Sequence, residues 1–342
     1  MEEDSKIGQR LSYRSKIPPV QERSVRPFWS VMIPTYHCAR FLPQTLENVL
    51  AQDPGPEMMQ IEVVDDCSML DDPAAVVAEV APGRVAFYRQ PRNVGHIKNF
   101  ETCLRRAQGK VVHLLHGDDY VLDRFYHKLQ QAFETQPQIG AAFCRQIFMD
   151  DSGNWEAYSP LEQPESGILD NGLERLALEQ RIMTPSIVVR RDVYERLGGF
   201  DSRLICTEDW EMWVRIAAEY PIWYETEPLA AYRMHSDSNT GSHVRSGDDM
   251  RYTRTAIEIF TTYLPQATAA EVSRKARETY ALSALDMAYS LFLKGDLAAV
   301  GVQVREAIFL SCSPRVIQRL GRLLLRAGRV GLQEMIRGWM YV

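Results

Sequence analysis

The residues richest in chemistry close an apolar run: Leu114-Leu115-His116-Gly117-Asp118-Asp119 ends on two adjacent carboxylates. Acids at a strand tip put hard oxygen ligands at a sheet edge, where Mg²⁺ or Mn²⁺ can be shared with a ligand's phosphates. A second apolar run ends in Asp65-Asp66-Cys67-Ser68, and a third in Pro34-Thr35-Tyr36. Arg92 and Asn93 open a loop before a helical pattern, where a guanidinium can bind phosphate bidentately or simply sit in solvent, and Gly95 lets the backbone come close. Thr207-Glu208-Asp209-Trp210 reads as a helix start with Thr207 as N-cap, which would fix Asp209 in the first turn. An acid there can complement the helix dipole or take a proton from a substrate hydroxyl.

These residues converge only if the elements behind them are ordered correctly. Apolar runs at Trp29–Ile33, Ile61–Val64, Val85–Tyr88 and Val111–Leu115 read as strands, and 41–52, 73–80 and 95–108 as the intervening helices. This β-α-β-α rhythm predicts an α/β fold, a mostly parallel, Rossmann-like mixed sheet with helices on both faces and ligands beyond the strands' carboxyl ends. Further strands are expected at Gly140–Phe148 and Ser186–Val189, and a helix from about Asp209 to Tyr220. After about residue 248 only helical periodicity remains, at 271–293, 296–310 and 314–328. The expected organisation is a flexible leader over 1–27, an α/β domain over 28–247 and an α-helical C-terminal region over 248–342.

Composition narrows the class. The 342 residues are 45% hydrophobic and 25% charged, which fits a globular chain of about two domains. No run approaches the roughly 18 consecutive apolar residues of a membrane span, and Met1-Glu2-Glu3-Asp4 does not open like a secretory signal, so a cytoplasmic protein is expected. Six cysteines without a C-x-x-C pair argue against a zinc site or disulfide framework. A net charge of −6 speaks against nucleic-acid binding, but residues 5–26 and 313–342 each carry a net +5, leaving −16 on the remainder. Basic ends of this kind suit peripheral contact with anionic lipid, and equally suit solvated helix faces.

Six segments in order give the chain a family resemblance. Ser30–Tyr36, Glu62–Ser68, Arg92–Gly95, His116–Asp119, Leu197–Asp201 and Glu208–Trp210 resemble those of the family 2 glycosyltransferases, which have the GT-A fold and transfer a sugar from a nucleotide diphosphate with inversion. The resemblance implies that Pro34, Thr35 and Tyr36 line a nucleotide pocket and that Asp66 accepts a hydrogen bond from the base. It makes Arg92 and Asn93 phosphate contacts, Asp118 a ligand of ribose or metal, and Asp119 a metal ligand. The family's acidic motif often reads acid-x-acid; here His116 stands first, which removes one negative ligand and offers an imidazole. Arg233-Met234-His235 resembles a segment near the diphosphate, with His235 as a further metal ligand. Asp209 becomes the catalytic base with Glu208 as runner-up, and Gly199, Glu208 and Trp210 border the donor-sugar and acceptor cleft.

The implied cofactor is Mn²⁺ or Mg²⁺, the donor a UDP- or dTDP-sugar, and the acceptor a glycan or lipid-linked molecule at the inner face of a membrane, in polysaccharide or glycoconjugate synthesis. Two rivals stand beside this reading. A nucleotidyltransferase would carry a Gly-rich basic loop where this chain has Pro34–Arg40. A non-catalytic nucleotide-sugar-binding scaffold would keep the nucleotide site and dispense with Asp209.

Overall fold

The computed structural model describes residues 13–20, 26–234 and 239–340. They fall into two compact units, Met1–Leu176 with Gln180–His235, and Ala177–Glu179 with Ser236–Val342.

The first unit is built on one mixed sheet. Its strands are β1 (Trp29–Thr35), β2 (Met59–Asp65), β3 (Ala86–Arg89), β4 (Val111–Leu114), β5 (Tyr120–Val121), β6 (Ala141–Met149), β7 (Trp155–Tyr158), β8 (Gly167–Ile168), β9 (Ile187–Arg190) and β10 (Ile222–Arg233). Their order is β3-β2-β1-β4-β9-β6-β10-β5, with β7 on β6 and β8 on β10. The helices are α1 (Leu42–Leu50), α2 (Pro73–Val80), α3 (His96–Arg106), α4 (Phe125–Thr135), α5 (Gly172–Leu178), α6 (Arg191–Leu197) and α7 (Glu208–Glu219). Every residue of β1 is buried, as a central strand covered on both faces requires. Leu42, Leu46 and Val49, spaced for one helical face, join Val31, Ile33 and Val63 in the core.

Register decides where the strand tips meet. β1 pairs in parallel with β2, bringing Thr35 opposite Asp65, and with β4, bringing Met32 opposite Leu114. The chain leaves β1 toward β2 on one side and returns to β4 on the other, so the β1–β4 crevice is a topological switch point. Both polar tips open there. β9 runs antiparallel to β4 and β6, which makes the sheet mixed as expected.

Several elements depart from the sequence reading. β10 is a twelve-residue strand interrupted by register shifts around Pro228, and Glu225-Thr226-Glu227-Pro228 hides it by breaking the apolar pattern. α4 also went unread. Part of the expected flexible leader is held in place: Ile17 is 1% exposed, and Arg14 faces the buried acids Asp201 and Glu211 at 4.0 and 3.6 Å.

The second unit is helical: α8 (Asn239–Ser246), α9 (Asp248–Thr261), α10 (Gln266–Leu293), α11 (Leu297–Leu310) and α12 (Pro314–Met340). Ala276, Ala281, Ala284 and Ala288 of α10 are buried, small enough to let neighbouring helices approach closely. Asp296 caps α11 by accepting from the Ala299 N–H at 3.2 Å.

Candidate active site

Three strand tips and one helix start meet at the carboxyl edge of the sheet. The β1 and β2 tips are tied together by Asp65, which is fully buried and accepts from Thr35 Oγ1 at 3.4 Å, from Ser68 N–H and Oγ at 3.1 and 2.5 Å and from Arg89 Nε at 2.7 Å. With those partners Asp65 is a scaffold. Its neighbour Asp66 accepts the backbone N–H groups of Val94 and Gly95 at 2.8 and 2.9 Å, so it fixes the loop that carries Arg92 and Asn93. Burial raises the Asp66 pKa, with those two N–H groups opposing it. Thr35 is buried beneath this tip, whereas Tyr36 is 49% exposed with its ring 4.0 Å from that of His37. Arg92 and Asn93 are both exposed.

The acidic loop after β4 is positioned by backbone contacts. Gly117 sits so close to β1 that a Cβ there would lie 2.6 Å from Thr35 Cγ2 and 2.8 Å from Cys38 Sγ; only glycine fits. Thr45 of α1 donates to the carbonyls of Gly117 and Asp119, at 3.1 and 2.7 Å. Arg233, ending β10, is buried and spends its guanidinium on the Asp118 carbonyl (2.9 Å), the Asp150 and Asp151 carbonyls (3.3 and 3.0 Å) and Gln44 Oε1 (2.7 Å). Its backbone N–H gives Asp119 Oδ1 a bond of 2.8 Å. Arg233 therefore clamps the loop, and its side chain is not available to a ligand.

His116, Asp118 and Asp119 each offer a ligand atom, all within 4.8 Å of one another. His116 Nδ1 faces Asp119 Oδ2 at 3.4 Å. Asp119 Oδ2 and His116 Nε2 are buried without a hydrogen-bond partner, which normally costs free energy. A divalent cation on Asp119 Oδ2, with Asp118 and one imidazole nitrogen of His116 beside it, would satisfy that oxygen, so the donor set fits one. Burial and the Asp118 charge push the Asp119 carboxyl up to about 6, against the pull of His116. For His116, burial works against protonation, but Asp119, Asp118 and Asp209 outweigh it and raise the pKa. His235 lies outside the described residues.

Asp209 is half-buried, with Oδ2 accepting from Gln180 Nε2 and Oδ1 from the Trp210 N–H, both at 2.7 Å. Burial and the neighbouring Glu208 raise its pKa to about 7. Thr207 does not cap the helix as expected: it adopts φ 70° and makes no side-chain cap bond. α7 therefore starts where the sequence predicts, without the Thr207 cap.

Glu208 is buried against His96, Oε1 to Nε2 at 3.3 Å. The His96 ring meets Phe100 edge-on at 5.6 Å, and Phe100 stacks on His116 at 5.3 Å. The first turn of α3 thus links the loop held by Asp66, the acidic loop and the start of α7. His96 and Gln180 escaped the sequence reading. His96 had a signal, a titratable residue directly after Arg92-Asn93-Val94-Gly95; Gln180 had none.

Two expected cleft residues lie elsewhere. Trp210 is 1% exposed and its indole donates to the Leu176 carbonyl at 2.7 Å, so it is core. Gly199 is covered by residues 15–17: its N–H donates to the Ser15 carbonyl at 2.9 Å, and a Cβ would collide with the Ser15 hydroxyl.

The family model for glycosyl transferase family 2 matches residues 30–198, from β1 through α6. The chain is a family 2 glycosyltransferase. Among solved structures this transferase resembles S. aureus TarS 1–349 in complex with UDP-GlcNAc, at TM-score 0.62 and 17% identity over 84% of this chain and 82% of that one. It also resembles a mannosyltransferase from Pyrobaculum calidifontis in complex with GDP-Man and Mn²⁺, at TM-score 0.55 and 17% identity over 98% and 88%. At such identity the likeness is one of fold, the GT-A arrangement with helices appended. An uncharacterized protein of Mycobacterium tuberculosis is 29% identical over 234 residues, 65% of the transferase and 72% of the relative. An uncharacterized glycosyltransferase of Methanocaldococcus jannaschii is 24% identical over 229 residues, 64% and 75% of the two chains. The family match stops short of Glu208, Asp209 and Arg233, so their roles rest on geometry.

Proposed function

We propose that this transferase moves a sugar from a UDP- or dTDP-sugar, with inversion, to a hydroxyl of a glycan or lipid-linked acceptor in polysaccharide or glycoconjugate synthesis. The observation that carries the reading is the orphaned pair His116 Nε2 and Asp119 Oδ2, set within electrostatic reach of an acid, Asp209, raised to about 7. Asp118, Asp119 and His116 would hold Mn²⁺ or Mg²⁺, which when bound supplies positive charge to the departing diphosphate. Uridine or thymidine as the base is favoured by the fold neighbour holding UDP-GlcNAc. The neighbour with GDP-Man and Mn²⁺ supports the wider class, a nucleotide sugar used with a divalent cation.

In this mechanism the acceptor oxygen attacks the anomeric carbon on the face opposite the diphosphate, and the bond from that carbon to the phosphate oxygen breaks. Asp209 takes the hydroxyl proton. A carboxylate raised to about 7 is matched to that task at neutral pH, where a free aspartate would be a weak base. Gln180 and the Trp210 N–H hold its two oxygens in one orientation. Glu208 is engaged by His96, which leaves Asp209 as the base. Tyr36 can stack on the base, the remaining lone pairs of Asp66 can accept its N–H, and Arg92 and Asn93 reach toward phosphate from the loop Asp66 secures. The basic C-terminal region would bring the enzyme to the inner face of a membrane, where lipid-linked acceptors lie.

The test is calorimetric titration of UDP, dTDP and GDP with and without Mn²⁺, followed by sugar-transfer assays on Asp209→Asn. Metal-dependent binding of one uridine or thymidine diphosphate, kept in the variant while transfer is lost, is the expected result. Binding of none by folded protein overturns the donor site. Binding without any transfer or donor hydrolysis by the native chain turns the reading to a scaffold.

A further inference from the structure

The last described helix has three faces of different character. Positions 316, 320, 323 and 327 of α12 form the inner face: Val316 and Leu323 are buried, and the helix packs on α10. One residue earlier, at the same spacing, stands a row of cations, Arg315, Arg319, Arg322 and Arg326. One residue later, Ile317 and Leu324 lie seven apart on the outside, with Gly321 between them and Leu325 alongside. Ile317, Leu324 and Leu325 are 51%, 64% and 68% exposed. An outward row of large aliphatic side chains costs free energy in water and calls for a partner.

We infer that the outer face of α12 seats on an anionic lipid bilayer, with Ile317, Leu324 and Leu325 in the headgroup–acyl boundary and Arg315 and Arg322 on lipid phosphates. Charge is what selects this occupant. Residues 313–328 hold four arginines and no acid. Arg319 is already paired with Asp286, and Arg326 lies over the Tyr289 ring at 5.3 Å. Arg315 and Arg322 are exposed and make no ion pair among the described residues. Arginines flanking an exposed aliphatic row are the signature of a helix that lies in the interface plane. No helix among the described residues is long and apolar enough to cross a membrane, so α12 would lie on the bilayer rather than span it. Past Gly328 the sequence continues in kind, with Arg329, Leu332, Met335, Ile336, Arg337 and Trp339 against the single acid Glu334.

The inference rests on the clause of the proposed function that brings the basic C-terminal region to a membrane, and names the face that would do it. Its test uses vesicles that carry no sugar, so its failure leaves the sugar-transfer reading standing and a failure of transfer leaves lipid binding to be read by itself. The full chain is co-sedimented with phosphatidylcholine vesicles and with vesicles half phosphatidylglycerol. Expected are retention on the anionic vesicles alone and release in high salt. Arg315→Ser with Arg322→Ser should weaken retention about thirtyfold. Leu324→Ser with Leu325→Ser should weaken it at least about tenfold. Circular dichroism checks that the variants fold; should either unfold, the native chain's dependence on lipid charge and salt still decides. Equal retention on both vesicle types, or none on either, overturns the inference. So does a self-association in sedimentation velocity that the leucine variant abolishes without any vesicle binding, which would assign the face to a second copy.

Discussion

The two ends of the sheet spend their charges differently. At the amino edge the charges meet an opposite partner or a carbonyl: Arg106 Nε meets the buried Glu62 at 2.5 Å, Arg26 donates to the Gln108 and Gly109 carbonyls at 2.9 and 2.8 Å, and the buried Arg191 donates to the Ala107 and Pro18 carbonyls at 3.2 and 3.1 Å. At the carboxyl edge Asp118, Asp119, Glu208 and Asp209 crowd together, two carboxyls are raised to about 6 and about 7, and polar atoms of His116 and Asp119 go unpartnered. What differs is whether the fold supplies partners itself or leaves them to come from outside, and a site that leaves them out trades stability for binding.

The sharpest way to break that contrast is Asp209→Asn. It keeps the shape and removes the base, so kcat should fall about a thousandfold while diphosphate affinity stays within a factor of about two. A tenfold or smaller loss would take the base role from Asp209. Asp119→Asn should come next: removing the buried acid that faces His116 should weaken Mn²⁺-dependent donor binding about a hundredfold, read by calorimetry. Because the charge crowding is relieved, the same variant should be at least as stable as the native chain without metal. A clear drop in thermal stability would mean that Asp119 belongs with the paired charges of the amino edge.

Between the two ends, His113 in β4 tests the sheet itself. It is fully buried, with Nε2 donating to the Pro185 carbonyl at 3.0 Å and Nδ1 accepting from the Tyr126 hydroxyl at 3.1 Å. Burial lowers its pKa to about 3. The unfolded chain takes up this proton near pH 6.5 and the folded chain does not, so the stability it contributes is full above that pH. It is lost as pH falls toward 3, by about 2 kcal/mol at pH 5. Denaturant titrations of the native chain and His113→Gln at pH 7 and pH 5 check this: the native chain should lose more of its stability than the variant. Equal losses would show that His113 is already protonated in the fold.

Legibility in the sequence followed the same division. Apolar runs ending in polar pairs gave β1, β2 and β4 and, with them, Asp66, Asp118 and Asp119, because strand period and strand tip are both local properties. Trp210 and Gly199 were misplaced because a residue's type does not say which body covers it. Trp210 turns to the Leu176 carbonyl and Gly199 to Ser15, contacts 34 and 184 positions distant. His96 and Gln180 are joined to Glu208 and Asp209 across similarly long separations, so their partners cannot be read from spacing. β10 was hidden because the register shifts on either side of Pro228 leave Thr226, Glu227 and Leu229 without partners on β6, which breaks the strand's alternation.

The smallest expected effect lies at the amino edge. Glu62 is buried and paired with Arg106, whose side chain is 40% exposed, so solvent screens much of the attraction. Glu62 also accepts from Gln60 Nε2 at 3.2 Å. Glu62→Gln keeps the size and most of the hydrogen bonding and removes one charge. The cost to stability should be about 1 kcal/mol or less, with kcat and donor KM unchanged within a factor of about two. A thermal melt beside a transfer assay reads both. A loss of activity of tenfold or more would mean that the amino edge reaches the reacting groups through β2, which carries Glu62 at its middle and Asp65 at its tip, and the division of labour between the two edges would fall.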